Sequence, residues 1–153
     1  MTFSIKKINY AKLASEAKAH GASSIAVCGI ISRDEKFLLI KRAPEKHRGG
    51  HWEIPGGKVE KGESLNAALA REVREETNLR LKEVKSYVGH VDYSPNPRRK
   101  VRLFMFDITA DDSEVCPNPT EHTEYMWATV EEAKKVLNPD GFTSIFLSYI
   151  NSR

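Results

Sequence analysis

Residues 57–79 read GKVEKGESLNAALAREVREETNL, from Gly57 to Leu79. The second half of this stretch predicts a helix, roughly Ser64 to Thr77. Ser64 is its expected N-cap, because a serine hydroxyl can accept a bond from an unpaired first-turn N–H. On a wheel of about 100° per residue with Leu65 at zero, Leu69 falls at about 40°, Ala68 at about 300° and Val73 at about 80°. These form an apolar face. Glu72 at about 340° and Glu76 at about 20° lie in the middle of that face, with Glu75 beside them at about 280°.

A helix that only packed would not carry acids there. Two carboxylates 4 Å apart repel by about 4 kcal/mol at an effective dielectric of about 20, and desolvation adds to that cost. Arg71, four residues before Glu75, can neutralise one of them. The remaining negative charge calls for a hard divalent cation, Mg2+ or alternatively Mn2+. A solvated acidic helix end is the bland reading of Glu-Val-Arg-Glu-Glu, and the apolar stripe upstream argues against it.

The spacing itself carries more. Gly57, five residues, Glu63, seven residues, then Arg71-Glu72-Val73-Arg74-Glu75-Glu76-Thr77-Asn78-Leu79 resembles the Nudix box, G-x5-E-x7-R-E-U-x-E-E-x-G-U, where U is a bulky aliphatic residue. Asn78 is the one departure, standing where the family has glycine to close the helix in a left-handed conformation. Asparagine is the next residue type to tolerate that geometry. The box covers about a seventh of the chain, and the flanking pattern extends the likeness over most of it. The resemblance implies a metal-dependent hydrolase of nucleoside diphosphates linked to a further moiety. It assigns Glu72, Glu75 and Glu76 as metal ligands, with the Gly56 carbonyl as a backbone ligand. Glu72 is also a candidate for orienting or deprotonating water, Arg71 for holding a glutamate, and Glu63 for supporting the loop. Which glutamate is the base stays open. A further acidic ligand is expected from Glu121, six residues before Trp127, with Glu124 as its competitor.

Composition narrows the class. The chain has 153 residues, 40% of them hydrophobic and 29% charged, which fits one domain with a real core. Residues 1–23 read as a leader, with a short helix over Tyr10 to Ala19. The net charge of +3 gives no argument for nucleic-acid or membrane binding, though a mildly positive field suits an anionic substrate. Cys28 and Cys116 have no metal or disulfide spacing, and Cys28 reads as a buried thiol. No signal-peptide or membrane-length apolar run appears, so a cytoplasmic protein is expected.

The remaining pattern predicts strands at Ser24–Ile31 and Lys36–Arg42, a polar loop at Lys46–Gly50, and a short strand over Trp52–Pro55 broken by Pro55-Gly56-Gly57. Longer strands are expected at Leu81–Tyr93 and Lys100–Ile108, joined by a Pro- and Arg-bearing loop over Ser94–Arg99. A short strand Tyr125–Ala128, a helix Val130–Leu137 capped by Thr129, and a closing helix Phe142–Ile150 complete the chain. This order predicts an α/β/α sandwich around a mixed β-sheet, the fold the resemblance also implies.

Arg42, Lys58, Arg98 and Arg99 are candidate phosphate contacts, each against the plainer reading of a surface charge. The histidines show no ligand spacing. Trp52, Tyr93, Phe104 and Trp127 are read mostly as core, with one of them free to stack on a base. For the substrate, the compact segment up to Glu63 looks like MutT-type nucleoside triphosphate pyrophosphohydrolases. Pro95, sixteen residues past Leu79, resembles instead the ADP-ribose subgroup, and an NDP-sugar belongs with that alternative. A catalytically silent nucleotide-sensing module would have lost glutamates that this chain keeps. An isomerase acting on an isoprenoid diphosphate would want a cysteine nearer the box than Cys28. The resemblance leaves a homodimer open.

Overall fold

The computed structural model describes residues 7–153, and the first six residues of the leader lie outside it. Its elements in chain order are α1 (Tyr10–Ala19), β1 (Ser24–Arg33), β2 (Lys36–Arg42), β3 (Trp52–Glu53), β4 (Gly56–Lys58), α2 (Leu65–Thr77), β5 (Leu81–Asn96), β6 (Arg99–Ala110), β7 (His122–Ala128), α3 (Val130–Val136) and α4 (Gly141–Ser152).

The sheet runs β3-β2-β1-β6-β5, with β4 also on β1 and β7 also on β2. β1 and β6 are parallel, from Ser24 opposite Val101 to Ile31 opposite Ile108, and every other pairing is antiparallel. The sheet is therefore mixed, as predicted. One edge of β1 forks. Its first half pairs with β4 at Ala26–Cys28, and its end pairs with β2 at Ser32 and Arg33. At the fork, the Gly29 N–H donates to the Pro55 carbonyl at 2.9 Å.

Alternation along the central strands divides two cores. Val27, Leu38, Phe104 and Phe106 face α1 and α2, packing with Ala17, Leu65, Leu69 and Val73. Cys28, Phe37, Leu39 and Met105 face α3 and α4, packing with Ala133, Phe146 and Ile150. This is the predicted α/β/α sandwich. α1 lies on the core, with the Tyr10 ring 5.8 Å from that of Phe106. Leu69 has no exposed surface, so truncating it to alanine costs ~3 kcal/mol.

Helix α2 begins and ends as the residues dictate. The Ala67 N–H donates to the Ser64 hydroxyl at 3.3 Å, and Asn78 closes the helix in the left-handed region at φ 70°. Its side-chain amide donates to the Glu114 carbonyl at 3.3 Å. Asparagine thus supplies the turn that glycine gives elsewhere and adds a tie to the following loop.

The β5–β6 connection differs from the expected loop. β5 continues through Ser94, Pro95 and Asn96, and only Pro97 and Arg98 turn before β6 starts at Arg99. Pro95 is accommodated because β5 is an edge strand whose register shifts between Tyr93 and Asn96. A residue without an N–H loses no ladder bond there. Gly56-Gly57, expected as a break, is itself strand β4. Bare backbone lets it lie flat on β1, since a Cβ on Gly56 would run into the Val27 carbonyl and Cys28.

Candidate active site

α2 carries its acids toward the sheet, and β4 passes across them. A Cβ on Gly57 would run into the Glu72 carboxylate, so glycine is required for this close approach. The Gly56 N–H donates to Glu76 Oε1 at 2.7 Å. Glu76 is 3% exposed. Burial pushes its carboxyl up to about 9, reinforced by the negative charges of Glu53, Glu72 and Glu121 and partly offset by the Gly56 N–H. Glu72 is also raised, first by burial and then by Glu75 and Glu121, against the opposing pull of Arg71.

Arg71 ties this group together. Its guanidinium holds Glu63 in a two-point fork at 2.8 and 2.9 Å, donates to Glu72 Oε1 at 2.9 Å and Glu75 Oε2 at 3.3 Å, and reaches the Lys58 carbonyl at 3.0 Å. The fork, helped by the Glu60 N–H, brings the Glu63 carboxyl down to about 2. The planar guanidinium suits this geometry in a way an ammonium does not. Glu75 is the most exposed of the box acids, with 57% of its side chain open.

Behind this row lies a histidine the sequence reading did not single out. His122 is buried on β7, and its Nε2 lies 2.8 Å from Glu53 Oε1. Its Nδ1 faces Glu76 Oε2 at 3.5 Å without a hydrogen bond. Arg42 also reaches Glu53 Oε1, at 3.2 Å. Glu53, Glu76 and His122 each place a ligand atom within 4.8 Å of the others.

A cavity of about 490 Å3 opens beside the acids, lined by Cys28, Trp52, Glu53, Tyr93, Asn138 and Phe142 among others, with Gly56 and Gly57 in its wall. Burial, aided by the charges of Glu53 and Glu76, pushes the Cys28 thiol well up, so it is a packed wall residue and not a thiolate.

The expected residues distribute unevenly. Glu63, Arg71, Glu72, Glu75, Glu76 and Gly56 come together. Glu121 is close enough for its charge to bear on both Glu72 and Glu76. Glu124 instead pairs with Lys41 at 3.0 Å on the neighbouring strand. Arg42 lines the cavity, while the Lys58 carbonyl serves Arg71 and its side chain is exposed. Arg98 sits in the β5–β6 turn and Arg99 donates to the Ser24 hydroxyl at 3.1 Å; neither lines the cavity. Of the aromatics read mostly as core, Phe104 is buried, but Tyr93 is 47% exposed at the cavity and Trp52 is half-buried in its wall. Trp127 is half-buried, with the Arg33 guanidinium 4.5 Å from its ring. The sequence held one signal for the missed pair: Glu53 and His122 lie beside Gly56-Gly57 and Glu121 respectively.

The residues present fit a divalent ion. Several carboxylates share one field, burial lifts two of them, and a buried imidazole nitrogen facing them has no partner. No helix among the described residues is long and apolar enough to cross a membrane.

Comparison with known proteins agrees with this geometry. The family model described as NUDIX domain matches residues 22–145. The chain is 36% identical over 110 residues to the CTP pyrophosphohydrolase of Escherichia coli, covering 70% of this chain and 76% of that protein. It is 33% identical to a putative 8-oxo-dGTP diphosphatase 2 of Mycobacterium tuberculosis, covering 74% of this chain and 79% of that protein. The ADP-ribose pyrophosphatase of Methanocaldococcus jannaschii is 45% identical over 85 residues, covering 54% of this chain and 48% of that protein. Among solved structures, a MutT NUDIX hydrolase from Burkholderia pseudomallei superposes with a TM-score of 0.70 at 26% identity, covering 82% of this chain and 95% of that one. The E. coli ORF135 protein superposes at 0.71 with 31% identity, covering 85% and 92%. With its box acids gathered on α2 and its whole central sheet matched, the chain belongs to the Nudix family and is a pyrophosphohydrolase of that family.

Proposed function

We propose that the protein hydrolyses a nucleoside 5′-triphosphate to the nucleoside monophosphate and pyrophosphate, with Mg2+ as the working ion and Mn2+ as its substitute. The observation that carries this reading is the shared wall between cavity and acids. Glu53, Gly56 and Gly57 line the cavity, and Gly56 also donates to Glu76. A base and ribose seated against Trp52, Tyr93 and Phe142 therefore run their phosphates toward α2. Relatives named for triphosphate substrates match over more than two thirds of their own length, which supports the choice.

A bound divalent ion neutralises phosphate oxygens and lowers the pKa of water. The chain supplies the rest. Glu72, Glu75 and Glu76 hold the ion with the Gly56 carbonyl, and Glu121 adds an acid from the β7 side. Glu72, whose carboxyl burial raises from its ordinary value, is the acid assigned to accept the water proton. Arg71 fixes Glu72, and Glu63 fixes Arg71. Arg42, held by Glu53 and the His47 carbonyl, lines the cavity and is a cation available to a phosphate there. Glu53 and Asp140 are hydrogen-bond acceptors in the cavity wall, favouring a base with a donating amino group.

A second reading, hydrolysis of ADP-ribose or an NDP-sugar, is favoured by the 45% identity to the ADP-ribose pyrophosphatase. Purified protein with Mg2+ should be offered CTP, dCTP, 8-oxo-dGTP, ADP-ribose and an NDP-sugar, with products resolved by ion-exchange chromatography. Monophosphate plus pyrophosphate from a triphosphate is expected. Monophosphates from ADP-ribose or the NDP-sugar alone would transfer the assignment to the second reading, and no turnover of any compound would refute both.

A further inference from the structure

The gap between His122 and Glu76 poses a charge problem. Glu53 Oε1 accepts from Arg42 at 3.2 Å, so it acts as an acceptor, and the 2.8 Å contact places a proton on His122 Nε2. In the neutral ring Nδ1 then carries a lone pair. It points at Glu76 Oε2, 3.5 Å away, inside a side chain with no exposed surface. Glu76 Oε1 already accepts from the Gly56 N–H, so its geometry is fixed. That gap is filled either by a proton, which burial favours on Glu76, or by a cation that takes both buried atoms as ligands.

We propose that His122 Nδ1 and Glu76 Oε2 are ligands of one transition-metal ion, of the Co2+ or Zn2+ class, with Glu53 holding the imidazole. Two ligands about 2.1 Å from one tetrahedral ion are about 3.4 Å apart, close to the gap observed. Glu53 supplies the carboxylate that a metal-bound histidine characteristically finds for its other N–H. An imidazole donor favours Zn2+ and Co2+ over Mg2+, which prefers oxygen alone. The site shares Glu76 with the proposed Mg2+ cluster and otherwise stands on His122. It gives α2 an inner position selective for softer ions, beside an outer row of oxygen donors.

The test uses metal-stripped whole protein labelled with 15N-histidine. On adding Zn2+, the His122 Nδ1 resonance should shift to a metal-bound value while Nε2–H persists; Mg2+ should leave it in place. Co2+ should bind with visible d–d absorption, and His122→Gln should weaken Co2+ about tenfold or more while Mg2+ affinity changes less than twofold. Because His122 is buried, circular dichroism must show the variant folded; if it is not, the 15N result on the unaltered chain decides. An Nδ1 resonance unmoved by saturating Zn2+, or a ring that stays imidazolium with metal present, overturns the proposal. Mg2+ binding with Nδ1 unmoved refutes this inference alone. A shifted Nδ1 with no Mg2+ binding supports it and refutes the proposed ion of the hydrolytic site.

Discussion

Glu76→Gln should make the metal-free protein more stable while removing its response to divalent ions. The folded Glu76 carboxyl sits at about 9 against 4.5 for a free glutamate. Between these values the folded chain holds a proton that the unfolded chain has released. Stability conferred by the proton is therefore lost progressively as pH rises from 4.5 toward 9. Each pH unit in that window is worth about 1.36 kcal/mol, so the part of the shift passed between pH 4.5 and pH 7 amounts to ~3 kcal/mol. Interior relaxation and water entry reduce this to ~2 kcal/mol. Glutamine keeps the acceptor for the Gly56 N–H, and its amide N–H can donate toward His122 Nδ1. For a domain of this size ~2 kcal/mol raises Tm by about 4–8 °C. The assay is thermal unfolding with EDTA at pH 5, 6.5 and 8, repeated with Mg2+. The unaltered protein should lose stability between pH 5 and 8 and recover it with Mg2+; the variant should show neither trend. A variant that melts lower at pH 8, with the same pH slope as the parent, would refute the assignment of Glu76 as a buried, electrostatically strained acid.

Three further outcomes follow from the site and its frame. Arg71→Lys should cut kcat ~100-fold by letting Glu72 drift and cost ~2 kcal/mol of stability, measured by steady-state kinetics and urea unfolding; a loss under threefold would show that the fork to Glu63 is dispensable. Tyr93→Ala should raise KM about tenfold with kcat nearly unchanged, as expected for stacking lost equally from ground and transition states; a fall in kcat alone would move Tyr93 out of base binding. Asn78→Gly should leave stability within about 0.5 kcal/mol, because relief at φ 70° offsets the lost bond to Glu114, whereas Asn78→Val should cost ~1–2 kcal/mol, both read by urea unfolding.

The helix, its caps and its acid stripe were legible because each depends on near neighbours in the chain. Ser64, Leu69, Glu72 and Glu76 state the period of α2 by themselves, and Asn78 states its end. The strands facing both cores were legible from their β-branched and apolar runs. What escaped depends on distance in sequence. Glu53 and His122 are 69 residues apart and meet only because β3 and β7 flank β2. Nothing local marks a histidine as buried when its partners lie on other strands. The arginines of the β5–β6 turn illustrate the reverse. A basic pair beside a loop reads as a phosphate contact, and the hairpin sets Arg99 on Ser24 with both arginines outside the cavity wall. The Gly56-Gly57 pair reads as a break because glycine ordinarily is one; only the approach of β1 and Glu72 turns it into a strand.

The forked edge of β1 has an engineering consequence. The near wall of the cavity and the buried Glu76 are one mechanical part, since the short strand that forms that wall also anchors Glu76, and Glu53 in the same wall holds the His122 ring that faces it. Retuning base preference there would disturb the ion as well. The wall built by Tyr93, Asn138 and Phe142 has no such linkage among the described residues. Libraries seeking new substrates should therefore diversify those three positions and leave the near side untouched.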